Sequence, residues 1–260
     1  MATVDTRSIL VKSDVDTPSN LAGQVAVVTG GSRGIGAKVS AALVSRGINV
    51  VICGRSMEAL EQARDRVMHG PTNAITAGRI ETIQADVRNA EQAQLVIDHA
   101  TASFGGLDIL VNNAGVIRFQ DLATQSVENW CEVMETNLNG VFFCCRAAIP
   151  ALRRRGGGWI INVSSLAGAH PFSGGGAYCA SKAGVDALSG ALMQELRHEK
   201  IRVSCVAPGS VDTRTMGTLS RDTGWKLTAA DVAQVIVDLL QHDLRSLPSR
   251  IEVRPARPRP

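Results

Sequence analysis

Aromatic residues are scarce in this chain. Only 3% of its 260 residues are Phe, Trp or Tyr, and Tyr178 is the single tyrosine. A core built from this composition must consist mostly of aliphatic side chains and alanine, which suits helices packed closely on a parallel sheet. Any chemistry that needs a phenol has only one candidate residue.

Long apolar runs, a strong charge of one sign and paired cysteines are also missing. No apolar run is long enough to span a membrane, and the first twenty residues lack the apolar core of a signal peptide. The net charge of +3 is too small to indicate nucleic acid or a membrane surface as a partner. The six cysteines include no CxxC pair and no spacing typical of metal ligands. We therefore expect a cytoplasmic protein with reduced thiols and no bound metal.

The length suits one large α/β domain with a substantial core. Residues 1–20 show no sustained hydrophobic period, which predicts a flexible extension. The domain is expected to run from residue 21 to residue 254. Residues 255–260 form a basic, proline-rich segment that we interpret as a solvated tail.

A glycine-rich turn separates the first predicted strand from the first predicted helix. Residues 25–28 are a short, mostly β-branched run that is typical of a strand buried on both faces. Gly30, Gly34 and Gly36 follow it, ahead of apolar residues at helical spacing. Glycines at this place let the backbone approach a diphosphate, whose charge is met by amides at the helix N-terminus. Such a turn is a weak motif alone, and its position between strand and helix strengthens it.

The end of the second predicted strand, residues 49–53, indicates which cofactor the chain uses. A carboxylate here would hydrogen-bond the adenosine ribose hydroxyls, whereas an arginine suits a 2′-phosphate. Cys53, Gly54 and Arg55 include no acid, and Arg33 in the glycine turn supplies a second positive charge. We therefore predict NADP(H) rather than NAD(H). The competing interpretation is that Arg55 is a solvated residue at a helix start.

Three side chains in the second half of the chain carry acid/base chemistry. Tyr178 and Lys182 are four residues apart, so both project from one face of a predicted helix. A cation beside the phenol is expected to lower the pKa of Tyr178 from its ordinary value of about 10. Ser165 ends a predicted buried strand and can hydrogen-bond the substrate oxygen that the tyrosine protonates. The alternatives are an ordinary packing pair for Tyr178 and Lys182 and a turn or cap for Ser165.

Asn137 interrupts the apolar stripe of a long helix predicted over residues 126–155. A buried amide is costly unless it finds hydrogen-bond partners. Asn137 is therefore expected to have a specific structural or functional role.

Together these segments resemble the short-chain dehydrogenase/reductase family. The matching residues, in the family's order, are Thr29, Gly30, Gly34, Gly36, Asn112, Asn113, Ala114, Gly115, Asn137, Ser165, Tyr178, Lys182, Pro208 and Gly209. Each match is modest alone, but jointly they are specific. The motif pattern is most similar to 3-oxoacyl-acyl-carrier-protein reductases and carbonyl reductases. The C-terminal residues depart from the ending usual in the bacterial acyl-carrier enzymes, which leaves an acyl-carrier substrate in doubt.

The resemblance implies a single-domain, Rossmann-type α/β fold, a doubly wound parallel sheet with strand order 3-2-1-4-5-6-7 and helices on both faces. It also implies NADPH-dependent reduction of a ketone or β-ketoacyl carbonyl to a secondary alcohol. An NAD-dependent alcohol or polyol dehydrogenase is the alternative enzyme. A non-catalytic NADP(H)-sensing or scaffold protein is the alternative outside catalysis.

The resemblance also assigns site residues. The catalytic set is Asn137, Ser165, Tyr178 and Lys182, with Asn137 holding a water that links the lysine to bulk solvent. The implied cofactor-binding residues are Gly30, Ser32, Arg33, Gly34, Ile35, Gly36, Arg55, Asp86, Val87, Asn113, Ala114, Gly115, Tyr178, Lys182, Pro208, Gly209, Val211 and Thr213. Asp86 and Val87 are assigned to the adenine, with helix capping as the alternative for Asp86. Val211 and Thr213 are assigned to the nicotinamide carboxamide.

Two further expectations concern the substrate and the assembly. Residues 214–227 are predicted to form a substrate lid, and His170, Phe172 and Trp225 are candidate pocket residues, although a His beside a proline in a turn is more often structural. The helix that begins near Tyr178 carries a second face of small residues: Ala180, Ala183, Ala187, Gly190 and Ala191. Such a face allows close helix approach, so we expect a homodimer or homotetramer.

Overall fold

The computed structural model describes residues 21–69, 78–213, 223–243 and 245–257. The predicted extension at residues 1–20, most of the predicted lid (residues 214–222) and the end of the tail (residues 258–260) lie outside these residues.

Seven parallel strands form one sheet within the described part of the chain. They are β1 (Val25–Thr29), β2 (Asn49–Gly54), β3 (Ile80–Gln84), β4 (Ile109–Asn112), β5 (Gly158–Val163), β6 (Ile201–Pro208) and β7 (Arg250–Val253). Their order across the sheet is β3-β2-β1-β4-β5-β6-β7, which confirms the predicted sheet. From β1 the chain first adds β2 and β3 on one side and then crosses to add β4 on the other side of β1. At such a switch point a crevice for ligands forms outside the carboxyl ends of the strands.

Seven α-helices cover the sheet in the described residues. They are α1 (Gly34–Val44), α2 (Met57–Met68), α3 (Ala90–Phe104), α4 (Val127–Met134), α5 (Gly140–Arg155), α6 (Gly176–Leu196) and α7 (Ala229–Leu240). Alternate residues of β1 point into two separate cores, one shared with α3, α5 and α6 and the other with α1, α2 and α7. The largest fully buried side chains are all Leu and Ile, as the aromatic-poor composition predicts.

A π-helical turn, Glu135–Asn139, separates α4 from α5. The predicted single helix over residues 126–155 is therefore wrong in this detail. Asn137 lies within the turn and is completely buried. Insertions of this kind are frequent at functional sites.

One residue at the end of the predicted lid lies in a strand, and one at the start of the predicted tail packs against the domain; neither was predicted. A short parallel ladder pairs Val211–Asp212 with Leu227–Thr228, so the last residue of the predicted lid belongs to a strand. Pro255, at the start of the predicted tail, is half-buried, and a Cβ built on Gly209 would be 3.1 Å from its ring. No helix of the described residues has both the length and the apolar content that crossing a membrane requires.

Candidate active site

Two glycines bring the glycine turn against the end of β4. A Cβ on Gly36 would lie 2.4 Å from both the Asn113 Nδ2 atom and the Gly30 carbonyl oxygen. Gly30 has a φ of 64°, and a Cβ there would lie 2.9 Å from the Ala114 Cα atom. Contacts this short exclude any side chain, so the sequence needs glycine at both positions.

Thr29 and Asn113 tie the carboxyl ends of β1 and β4 together. Asn113 Nδ2 donates to the carbonyls of Thr29 (2.9 Å) and Gly30 (3.1 Å). The Thr29 hydroxyl oxygen accepts from the backbone amides of Asn113 and Ala114, both at 3.0 Å. The Asn113 amide group therefore holds the glycine turn in place. The anchoring role of the Thr29 hydroxyl was not predicted from the sequence.

The N-terminus of α1 fits the diphosphate of a dinucleotide. Side chains cap α2, α3, α4 and α7, namely those of Ser56, Asn89, Ser126 and Thr228. No side chain caps α1, and its first turn contains no acid. The amides and the positive end of the helix dipole therefore face the crevice. Thr213 lies opposite, 3.4 Å from the place that a Cβ on Gly34 would occupy.

The end of β2 joins the glycine turn, as a cofactor-selecting site requires. The Gly31 amide donates to the Cys53 carbonyl (3.2 Å), and Ser32 Oγ lies near Gly54. Arg33 and Arg55 are exposed, and neither guanidinium forms an ion pair among the described residues.

A third arginine reaches this place from α2. Arg66 Nη2 donates to the Ser32 carbonyl at 3.4 Å. Its position at the end of α2 gave no sign of this in the sequence, because only the tertiary fold brings that helix beside the glycine turn.

Asp86 follows β3 and is bound by its neighbour. Its carboxylate accepts from the Arg88 Nε atom at 2.9 and 3.0 Å and from the Arg88 amide at 3.0 Å. The hydrogen bond from the Arg88 side chain lowers the pKa of Asp86. Asn89, and not Asp86, caps α3, so the capping alternative for Asp86 is wrong. The Val87 side chain packs towards Gly140, and the adenine contact of both residues stays a prediction.

Ser165, Tyr178 and Lys182 converge at the carboxyl ends of β5 and β6. The Ser165 hydroxyl lies within hydrogen-bonding reach of the Tyr178 hydroxyl. Ser165 Oγ accepts from the Ala167 amide at 3.2 Å and lies 3.5 Å from the Pro208 carbonyl. Lys182 Nζ donates to the Val163 carbonyl at 2.9 Å and lies 5.9 Å from the centre of the tyrosine ring. The structure thus brings together three of the four predicted catalytic side chains around one phenol.

The expected lowering of the Tyr178 pKa is wrong for this structure. Burial raises the pKa of Tyr178, and its hydrogen bond with Ser165 offsets only part of that rise. Burial also lowers the pKa of Lys182 to about 8, with Cys205 and Asp186 acting in the opposite direction. The physical reason is that desolvation disfavours both charged forms, the phenolate and the ammonium.

Asn137, the fourth predicted catalytic residue, links the segment after β4 to α6. Its Oδ1 atom accepts from the Val116 amide (2.8 Å), and its Nδ2 atom donates to the Val116 carbonyl (3.0 Å) and to Ser181 Oγ (3.1 Å). Ser181 in turn donates to the Tyr178 carbonyl at 2.8 Å. A Cβ on Gly115 would be 3.3 Å from Asn137 Oδ1 and 3.9 Å from Lys182 Nζ. Asn137 therefore positions the helix turn that carries the tyrosine and lysine, and its water-holding role stays a prediction.

The pocket candidates occupy different surroundings. His170 Nε2 lies 3.0 Å from the Arg254 Nη2 atom. Trp225 is half-buried beneath Lys226. Phe172 joins Phe119, which was not predicted, in an aromatic cluster that reaches the Tyr178 ring.

The cysteines differ in part from their prediction. All six are free thiols and five of them are buried, but Cys131 is exposed. No group of metal-ligating side chains occurs among the described residues.

Comparisons with known proteins agree with this geometry. The sequence profile of the short chain dehydrogenases matches residues 24–224. A short-chain type dehydrogenase/reductase of Picea abies is 40% identical over 196 residues, which cover 74% of this chain and 72% of the relative.

Two solved structures have the same fold at appreciable identity. A metagenomic short-chain oxidoreductase in complex with NADP is 35% identical, with a TM-score of 0.79 over 92% of this chain and 100% of the other. An alcohol dehydrogenase from the archaeon Thermococcus sibiricus, complexed with 5-hydroxy-NADP, is 28% identical, with a TM-score of 0.83 over 91% of this chain and 98% of the other. The chain therefore belongs to the short-chain dehydrogenase family of oxidoreductases.

Proposed function

We propose that this oxidoreductase uses NADPH to reduce a ketone or β-ketoacyl carbonyl to a secondary alcohol, with Tyr178 as the proton donor. The observation that carries the proposal is the convergence of the Ser165 hydroxyl, the Tyr178 phenol and the Lys182 ammonium beside the crevice. A donor, an oxygen-positioning hydroxyl and a cation at one point are what carbonyl reduction needs.

NADP(H) is the cofactor that the crevice supports best. Its diphosphate would be held at the uncapped N-terminus of α1, and its 2′-phosphate by Arg33 and Arg55, with Arg66 nearby. The segment after β2 contains no carboxylate that would repel this phosphate. The NADP and 5-hydroxy-NADP complexes of two similar structures support the same choice.

The bound cofactor supplies a hydride equivalent, and the chain's own residues manage the substrate oxygen. Ser165 hydrogen-bonds that oxygen and holds it beside the phenol as negative charge develops. Tyr178 donates the proton from its hydroxyl oxygen. Lys182 would bind the nicotinamide ribose and stabilise the phenolate that remains, and Asn137 would connect the proton path to water.

The direction of the Tyr178 pKa shift fits the role of a proton donor. A raised pKa keeps Tyr178 protonated, which is the form of a proton donor. Alcohol oxidation would instead need the phenolate as base, and burial opposes that form. A Lys182 pKa of about 8 leaves much of the lysine charged at neutral pH.

We also propose that the protein acts in the cytoplasm as a homodimer or homotetramer. The exposed small residues of α6, Ala180, Ala183, Ala187, Gly190 and Ala191, form a face that another helix can approach closely.

Calorimetric titration with NADPH and NADH side by side tests the cofactor choice. Wild-type protein is expected to bind NADPH about 10-fold or more tightly than NADH, because charged hydrogen bonds to the 2′-phosphate contribute about 1.5–3 kcal/mol each. Arg55→Gln should narrow that preference. Arg64→Gln is the matched control, since Arg64 lies on the exposed side of α2 beside Asp65. A preference for NADH would overturn the cofactor choice.

Tyr178→Phe tests the mechanism in the same preparations. Turnover of a ketone panel should fall by about 100-fold or more, the usual contribution of a positioned acid, while NADPH affinity changes little. Substantial residual activity would contradict the role of Tyr178.

A further inference from the structure

Three aromatic rings meet at right angles beside the proposed reaction centre. The ring centre of Phe119 lies 5.2 Å from that of Phe172 and 5.9 Å from that of Tyr178, with an interplanar angle of 83° in both pairs. We call Phe119, Phe172 and Tyr178 the aromatic corner. In a chain with so few aromatic residues, this cluster brings together three of them at the one phenol.

The backbone fixes the corner from both sides. Phe119 lies in the segment after β4, and Phe172 lies in the segment before α6. The Gln120 amide donates to the Gly174 carbonyl at 2.7 Å, which joins the two segments. Gly175 is buried under the Phe172 ring, and a Cβ there would be 2.6 Å from the ring atom Cε2. The corner is thus built into the loops that flank Tyr178.

Both phenylalanine rings remain partly open to solvent. Phe119 is 51% exposed and Phe172 is 46% exposed, although large exposed apolar side chains disfavour solubility. The adjacent cation, Arg118, is ion-paired with Glu132 at 2.9 Å. Apolar surface is therefore what the corner presents to a molecule bound at the phenol.

We propose that Phe119 and Phe172 are specificity residues that select ketones carrying an aryl or alicyclic ring next to the carbonyl carbon. This inference rests on the proposed function, because the substrate oxygen must lie at Tyr178 for the ring to reach the corner. Rings prefer edge-to-face and offset contacts with aromatic side chains, and perpendicular walls offer both. A linear alkyl chain gains apolar contact but none of this geometry.

The test compares a ring ketone with a linear one. Acetophenone and 2-octanone have equal carbon counts, and kcat/KM with NADPH is measured for both in wild-type protein and in Phe119→Ala, Phe172→Ala and Phe119→Leu. Leu95→Ala is the control, since Leu95 is also an exposed apolar residue, 57% exposed, on α3.

Wild-type protein is expected to prefer acetophenone by about 10-fold or more, in the range that a hydrophobic pocket achieves. Each alanine variant should lower kcat/KM for acetophenone by about 10- to 100-fold and for 2-octanone by much less, so that the preference collapses. Phe119→Leu, which keeps apolar bulk without a ring, should lose most of the preference for acetophenone over 2-octanone. Leu95→Ala should leave kcat/KM for both ketones unchanged.

Failure of the ring-selection proposal and failure of the proposed function give different results. If wild-type protein reduces both ketones without a preference, or if the alanine variants lower both equally, the corner does not select rings and the proposal is wrong. If wild-type protein binds NADPH but reduces neither these ketones nor the wider panel, the proposed function itself fails. Loss of all activity in Phe119→Ala together with retained ring preference in Phe172→Ala would also overturn the proposal, because Phe119 would then only support Tyr178.

Discussion

Replacing Lys182 with methionine should make the protein more stable while it abolishes turnover. Lys182 is 5% exposed, and burial lowers its pKa from the ordinary value of 10.5 to about 8. A shift of this size means that holding the ammonium inside the protein costs about 3 kcal/mol at pH 7, at about 1.4 kcal/mol for each pH unit. Methionine fills a similar volume without a charge.

The expected increase in the free energy of unfolding is partly offset, because the variant also loses a hydrogen bond. Lys182 Nζ donates to the Val163 carbonyl at 2.9 Å, and leaving a buried carbonyl without this donor costs about 1–2 kcal/mol. We therefore expect Lys182→Met to raise the free energy of unfolding at pH 7 by about 1–2 kcal/mol.

The pH dependence of stability distinguishes the cost of the buried Lys182 charge from other effects of the substitution. Because the folded pKa lies below the unfolded one, the unfolded chain binds more protons between pH 8 and pH 10.5. The cost of the charge is fully present below pH 8, and wild-type stability recovers as pH rises through that window. The difference in free energy of unfolding between Lys182→Met and wild type should therefore fall by about 2 kcal/mol between pH 7 and pH 10.

Urea denaturation of both proteins at pH 7, 9 and 10 measures this difference. Lys38→Met, on the exposed surface of α1, is the control and should change stability by no more than about 0.5 kcal/mol. A Lys182→Met protein that is less stable than wild type at every pH, or whose difference from wild type is constant with pH, would refute the burial argument.

Two further predictions concern the support of the glycine turn. Asn113→Ala removes both hydrogen bonds to the Thr29 and Gly30 carbonyls. Urea denaturation should therefore show a free energy of unfolding lower by about 1–3 kcal/mol, and titration should show weaker NADPH binding. Unchanged NADPH affinity would contradict the role of Asn113 in holding the turn. Gly36→Ala inserts a methyl group where no space exists and should cost about 1–3 kcal/mol. Gly176→Ala, where a Cβ meets open space, should instead be neutral or stabilising by up to about 1 kcal/mol, and an equal effect at both glycines would show that the clash at Gly36 does not matter.

The sheet could be predicted because its signals are local. Strands buried on both faces read as short β-branched runs, and the glycine turn lies directly after the first of them. The order of the strands across the sheet came from the resemblance to the short-chain dehydrogenase/reductase family, and the structure confirms it. Tyr178 and Lys182 are likewise close because four residues make about one helical turn.

Burial and tertiary contact could not be predicted in the same way. The four-residue spacing places Lys182 near Tyr178, but it does not show that the ammonium bonds Val163 or that both groups are desolvated, and desolvation decides the direction of both pKa shifts. Phe119 and Phe172 are far apart in the chain, and tertiary contacts such as the bond between Gln120 and Gly174 bring their segments together.

One signal in the sequence could have revealed more of the site's support. Asn137 drew attention as an amide in an apolar stripe, and the same argument applies to Asn162 within the apolar strand β5. Asn162 is completely buried, accepts from Asn112 Nδ2 at 2.8 Å and donates to Ser189 Oγ at 2.9 Å. These bonds join β4, β5 and α6 beneath the catalytic groups. Since an unpaired buried amide is costly, each such asparagine in an apolar run indicates a fixed tertiary contact, and both of these converge on the helix that carries Tyr178.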